Sequence, residues 1–256
     1  MKLTEQNYYT PKANKAYWSV SQFKSFMECQ EKAMAEIEGL YNRPETDALL
    51  AGSYVDAALT GDLFGFIRDH PQVLNSRTGV LKAQFRAADD AAKWAKLDPL
   101  FKEYMEGDHQ VILTGELFGE QWKIKADVLH PERIVDLKYM RDMKSIFKDG
   151  ERKTFLDAWG YDLQGFVYQA IVEEATGKHL PFYLAVITKE EPADIDIIHI
   201  PDWKLNSAGE IIKHYLPEFA EVKAGKPPKR CGHCPWCRET KELKKVTEYE
   251  ELLERI

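Results

Sequence analysis

The order of elements in this sequence predicts an α/β fold, a central sheet flanked by helices and carrying further helical decoration. Three observations carry that prediction. The N-terminal part is written in helical period; residues 110–138 read as three short strands joined by turns; and a long helical stretch with two more strand patterns follows. At 256 residues and 44% hydrophobic composition, the chain is long enough to bury one substantial core.

Residues 1–18 are polar and interrupted by Pro11, and are expected to form an arm. Ser19-Val-Ser21 offers a cap to a helix bearing Phe23, Phe26, Met27 and Met34; Cys29 falls inside it and Gly39 ends it. The stretch Ala48 to Leu59 reads as a buried helix with one acid, Asp56, stopped at Gly61-Asp62. After a loop marked by His70-Pro71 and Gly79, residues Leu81, Phe85, Ala88, Ala92 and Ala95 share one face of a helix over 81–97, closed by Asp98-Pro99.

The three strands follow. Val111 and Leu113, then Trp122, Ile124 and Ala126, then Ile134 alternate with polar residues, with turns at Gly119 and at His130-Pro131. A charged, mobile stretch is expected over 139–153, then one long helix over about 154–176. Strands near 181–188 and 194–200 come next, and the Asp-Ile-Asp-Ile-Ile alternation of the second suits a sheet edge. A helix near 207–222 leads through Gly225-Lys-Pro-Pro into a cysteine cluster and a charged terminal helix.

The formal net charge of −7 argues against a general polyanion binder. Residues 223–245 nevertheless carry eight Lys/Arg against Glu239 and Glu242, a basic run that either contacts phosphates or forms a solvated face. No apolar run is long enough to span a bilayer and no basic-then-apolar leader opens the chain. A soluble, cytoplasmic protein with no membrane partner is expected.

Two carboxylates, Asp127 and Asp136, stand near the ends of adjacent strands, and Lys138 follows Asp136 by two residues. Period-2 geometry turns Asp136 and Lys138 to one face. Two acids with a lysine beside them suit Mg²⁺ or Mn²⁺. The ordinary alternative is a set of solvated strand-end charges, since Asp-x-Lys is a weak motif. Gln164 and Tyr168 lie four apart on a helix and share a face, either directed at one site or as a surface amide and a core aromatic. Cys231-Gly-His-Cys234-Pro-Trp-Cys237 has strong metal-ligand spacing. Cys29, the only other cysteine, or His233 with zinc, would complete four ligands.

Taken in order, these motifs resemble the PD-(D/E)xK nuclease superfamily, specifically its RecB-like exonuclease branch, from Ser19 to about Cys237, and the chain is similar to phage and prophage exodeoxyribonuclease-like proteins. The resemblance implies a restriction-endonuclease-like core, a central mixed sheet flanked by helices. It implies an arm (1–18), a nuclease domain (19–222) and a cysteine-bearing segment with a terminal helix (223–256) packed on that domain through Cys29. Gly52-Ser-Tyr-Val-Asp56 stands where the branch has Gly-x-x-x-His, so Asp56 replaces the histidine. Asp127, Asp136-Leu137-Lys138 and Gln164-Gly-Phe-Val-Tyr168 match its remaining motifs.

By resemblance, Asp56, Asp127, Asp136 and the Leu137 carbonyl would hold Mg²⁺ or Mn²⁺, Lys138 would orient or help deprotonate a water, and Gln164 and Tyr168 would complete the catalytic set. Glu116 is either an accessory group or a turn edge. The implied activity is DNA exonucleolysis, with a single-strand annealing protein as an implied partner; a CRISPR-like or repair nuclease and a non-catalytic DNA-binding module are the alternatives. Some RecB-like nucleases place one cysteine before their motifs and three after, around a [4Fe-4S] cluster. The same layout here, though with different spacing among the last three, puts that cluster ahead of structural Zn²⁺.

Overall fold

The computed structural model describes residues 1–250 except 43, 45, 149, 244, 245 and 247. Its centre is a five-stranded mixed sheet in the order β1-β2-β3-β6-β7: Asp108–Leu117, Glu120–His130, Arg133–Met140, Phe182–Thr188 and Ile195–Ile200. The first three strands form the expected meander, antiparallel throughout, whereas β3 and β6 run parallel. That parallel step requires a crossover. It is made by a small ribbon, β4 (Ile146–Lys148) with β5 (Glu151–Lys153), then α8 (Phe155–Trp159) and α9 (Tyr161–Thr176). The edge position expected for β7 is observed.

Period-2 alternation sorts the central strands between two helical layers. Ile134, Phe182, Leu184 and Val186 pack with α9, with α2 (Val20–Glu28) and with α10 (Asp202–Lys223). Val135, Leu137, Ala185 and Ile187 pack on the opposite face with α4 (Asp47–Thr60) and α6 (Ala83–Ala95). α5 (Leu63–Asp69) and α7 (Pro99–Tyr104) extend the second layer. Trp18, Phe23, Phe26, Trp122 and Phe219 form a buried aromatic knot in the first layer, with ring centroids 5.1–6.3 Å apart. Truncating any one of them to Ala should cost about 3–5 kcal/mol.

Residues 1–18, read as an arm, fold back onto this layer: α1 (Pro11–Ala16) forms, Leu3, Tyr8 and Ala13 are buried, and Trp18 pairs with β2. The single helix expected over 19–39 is two helices. Ser19 caps α2 and Gly39 ends α3 (Gln30–Glu38) as anticipated, but Cys29 between them is extended, with φ −166° and ψ 112°. Apolar periodicity continues through the break, so the pattern reads as one helix. The long helix expected over 154–176 is likewise interrupted, at Gly160. Its φ of 62° and ψ of 46° lie in the left-handed region, which glycine enters without a Cβ clash. Within the stretch 139–153, residues 139–140 close β3 and Ile146–Lys148 and Glu151–Lys153 form the β4–β5 ribbon, strands the sequence pattern did not predict, and α10 begins five residues before the helix expected there. After α11 (Pro235–Glu239), the expected terminal helix falls largely on residues outside the described ones.

Candidate functional site

The β2–β3 ladder runs His130↔Arg133, Leu129↔Ile134, Val128↔Val135 and then stops. The next facing pair in that register would be Asp127 and Asp136, so both carboxylates stand where the strands fork. The Leu137 N–H, freed by the fork, donates instead to Asp127 Oδ2 at 2.8 Å. On its other side Asp127 faces a gap in the β1–β2 ladder: His109↔Val128 and Val111↔Ala126 pair, while Gln110 between them has φ 54°. A non-glycine residue there is uncommon and costs on the order of 1 kcal/mol or more. The twist brings the Gln110 carboxamide over the gap, where Nε2 donates to Asp127 Oδ1 at 3.3 Å and to Asp56 Oδ2 at 2.9 Å. Asp56 arrives on α4 from one helical layer, and Gln164 arrives on α9 from the other.

Asp136 is 1% exposed. Its Oδ1 accepts from Gln164 Nε2 at 2.6 Å, and its Oδ2 lies 2.5 Å from Lys138 Nζ, on the shared strand face expected for them. Tyr168, one turn beyond Gln164, points to the same region, and its hydroxyl donates to the Lys125 carbonyl of β2 at 3.0 Å. Tyr168 therefore fixes the strand that carries Asp127. Glu116 lies at the distal end of the β1–β2 hairpin, exposed and with its side chain near Gln121, so it is a turn edge.

The electrostatics follow from burial. Asp127 is pushed up to about 7, first by desolvation and then by Asp136 and Asp56, against the pull of Lys138 and the Leu137 N–H. Asp56 is raised mainly by burial. For Lys138, burial works to lower the ammonium, but Asp136 and Asp127 outweigh it and the net direction is upward. The Lys138 ammonium also lies 4.9 Å from the centre of the Tyr161 ring. Asp56 Oδ1 is buried with no hydrogen-bond partner among the described residues. Three clustered carboxylates, one ammonium, one bridging amide and one orphaned carboxylate oxygen are a hard-oxygen donor set with surplus negative charge. That set fits a divalent cation of the Mg²⁺ or Mn²⁺ type.

The carboxylates line the wall of a cleft of about 1570 Å³. Lys24, Lys125, Lys148, His70 and His109 also line it, with Tyr9, Trp159 and Leu49 exposed at its mouth. Burial, followed by the neighbouring Lys138, lowers Lys24 to about 8.

A family model described as "PDDEXK-like domain of unknown function" (DUF3799) matches residues 19–240. The chain belongs to this PDDEXK-like family. It is also similar to a candidate exonuclease from Eubacterium rectale of known crystal structure, with 41% identity over 100% of both chains and a TM-score of 0.95. No curated protein matches. Membership agrees with the mixed sheet flanked by helices, and so with the superfamily and fold class expected from the sequence.

The cysteines of this PDDEXK-like chain also converge. Cys29, Cys231, Cys234 and Cys237 each place a sulfur within 4.8 Å of the other three. His233 is exposed, with Nδ1 turned to the Cys231 carbonyl at 3.0 Å, and is not part of this group. The break between α2 and α3 explains the convergence: extended backbone at Cys29 leaves its side chain facing the C-terminal segment, and Glu31 N–H then bonds the Lys229 carbonyl at 3.2 Å.

Sequence reasoning missed Gln110, Lys24, Lys125, Lys148 and Tyr161. No local signal marks them, because they reach the cleft from five separate elements. Part of the basic run, conversely, is taken up within the fold: Lys226 pairs with Glu221, Lys229 with Glu218 and Arg230 with Glu31, each at 2.7 Å, and Lys223 turns inward to the Tyr17 carbonyl and Gln22. Lys244 and Lys245 lie outside the described residues. Among the described residues no helix is long and apolar enough to cross a membrane.

Proposed function

We propose that this protein is a divalent-metal-dependent DNA nuclease of the RecB-like branch that degrades DNA from an end, supplying single strands to an annealing protein. The observation that carries the reading is the fork: Asp136 and Lys138 on one strand face, with Asp127 across the gap and Asp56 bridged to it through Gln110, at the base of a lysine-lined cleft. The likeness to a candidate exonuclease over the full chain supports the same reading.

Asp56, Asp127, Asp136 and the Leu137 carbonyl would hold the metal, which when bound makes a potent nucleophile of water and neutralises phosphate charge. The remaining roles belong to the protein. Lys138, kept protonated by its two carboxylate neighbours, donates: it orients the attacking water and faces the charge that develops on the phosphate oxygens. Gln164 holds Asp136, and Tyr168 holds β2, so both are positioning residues. Lys24, Lys125 and Lys148 give the cleft a phosphate-binding wall.

The test compares linear and covalently closed circular DNA with Mg²⁺ and with chelator. The expected result is loss of linear DNA alone, only with metal, and not in Asp136→Ala or Lys138→Ala. Folded wild-type protein that leaves every linear substrate intact with Mg²⁺ and Mn²⁺ would remove the assignment.

A further inference from the structure

We infer that the four cysteines form a closed, single-ion Zn²⁺ site, and that the sulfur set does not fit the [4Fe-4S] cluster implied by the RecB-like layout. Geometry decides between them. Cys29 and Cys237 sulfurs are 3.6 Å apart, Cys231 and Cys237 are 3.9 Å apart, and every pair among the four lies within 4.8 Å. One ion with zinc–sulfur bonds of about 2.3 Å spaces four tetrahedral sulfurs about 3.8 Å apart. In a cubane each thiolate points outward from a different iron, so the same four sulfurs stand on a larger tetrahedron with an edge of roughly 6 Å. The observed distances bracket the first value, and all fall more than 1 Å short of the second.

The surrounding backbone opposes expansion to the larger spacing. Cys234 N–H points to the Cys231 sulfur at 3.3 Å and Cys237 N–H to the Cys234 sulfur at 3.4 Å, two successive turns that fold three sulfurs around one point. Cys29 is fixed from the other side. Arg230 pairs with Glu31, two residues along from Cys29, at 2.7 Å and donates to the Cys237 carbonyl at 2.8 Å. Both Cys29 and Cys237 are buried. Four thiolates leave no open coordination position, which marks a structural rather than a catalytic zinc. The ion ties the α2–α3 break to the end of the chain, so its binding free energy contributes to folding.

The experiment is metal and sulfide analysis of full-length protein purified anaerobically, before and after incubation with ferrous iron and sulfide, alongside cobalt replacement and thermal melting. The expected result is one zinc per chain, no acid-labile sulfide, no broad visible absorbance after reconstitution, and the visible bands of a tetrahedral tetrathiolate on cobalt replacement. Cys29→Ser and Cys234→Ser should both lose the ion and melt at similarly lowered temperatures. If either fails to fold, X-ray absorption of the wild type still decides, with a single zinc–sulfur shell near about 2.3 Å expected. Stoichiometric iron and sulfide would overturn the inference, as would one iron without sulfide. Zinc retained in full by Cys29→Ser would also overturn it.

Discussion

Lys138→Met separates binding the metal from using it. In the wild type, Lys138 Nζ lies 2.5 Å from Asp136 Oδ2, with the lysine side chain 20% exposed and the aspartate 2%. Removing one partner of a buried ion pair typically costs about 3–5 kcal/mol; the residual exposure of Lys138 places this case near about 3. At roughly 2–4 °C per kcal/mol for a domain of this size, the metal-free variant should melt about 6–12 °C lower. Asp136 keeps Gln164 but loses its competing cation, so the variant should bind Mg²⁺ at least as well as the wild type and regain part of its stability on binding. Turnover should nevertheless fall by on the order of 100-fold or more, because the group facing the developing charge is gone. Calorimetric Mg²⁺ titration, melting with and without Mg²⁺, and single-turnover cleavage of labelled linear DNA measure the three quantities. Wild-type turnover in the variant, or a loss that excess Mg²⁺ restores completely, would refute the role given to Lys138.

Asp136→Asn should behave oppositely to Lys138→Met, with weakened Mg²⁺ binding by titration as well as lost cleavage. Asp56→Asn should raise the Mg²⁺ concentration needed for half-maximal cleavage, and an unchanged metal titration would make Asp56 structural. Tyr168→Phe leaves the Lys125 carbonyl without its donor; a loss of about 1 kcal/mol by denaturant unfolding is expected, with a modest drop in turnover and an unchanged pH profile. Asp127, raised from 3.8 to about 7, binds more protons folded than unfolded between those values. Its contribution to the metal-free protein is therefore present in full below about pH 4 and lost as pH rises through about 7. In chelator, wild-type melting should fall relative to Asp127→Asn over that window, and parallel curves would contradict the assignment.

What could be read in the sequence was local. Asp136 and Lys138 share a face because strands have period two, and Gln164 and Tyr168 share one because helices have period 3.6; both relations survive intact in the structure. The two helix breaks were not legible, since apolar spacing on either side of Cys29 and Gly160 is compatible with continuous helices. Gln110 was invisible for a different reason: its importance comes from a backbone twist at a ladder gap, which no neighbouring residue announces. The basic run drew attention that belonged elsewhere, because proximity in sequence is a poor guide to where lysines end up. Three of the run, Lys226, Lys229 and Arg230, meet Glu221, Glu218 and Glu31, whereas the cleft draws Lys24, Lys125 and Lys148 from three distant elements.

The fork also explains why the site lies where it does in this sheet. A continuous β2–β3 ladder would satisfy every backbone group and leave Asp127 and Asp136 as two like charges directly opposite each other, an unfavourable cross-strand pair. Opening the ladder at that step relieves the approach but frees the Leu137 N–H, and a buried unpaired donor costs about 1–3 kcal/mol. Asp127 Oδ2 removes that cost by accepting the bond. One oxygen of Asp127 is thereby committed to holding the strands at their separation, and the other faces Gln110 and Asp56. The opening gives α4 access from one layer and α9 access from the other. A sheet without the fork would keep Asp56 and Gln164 on opposite sides of a closed wall, and the three carboxylates would not converge.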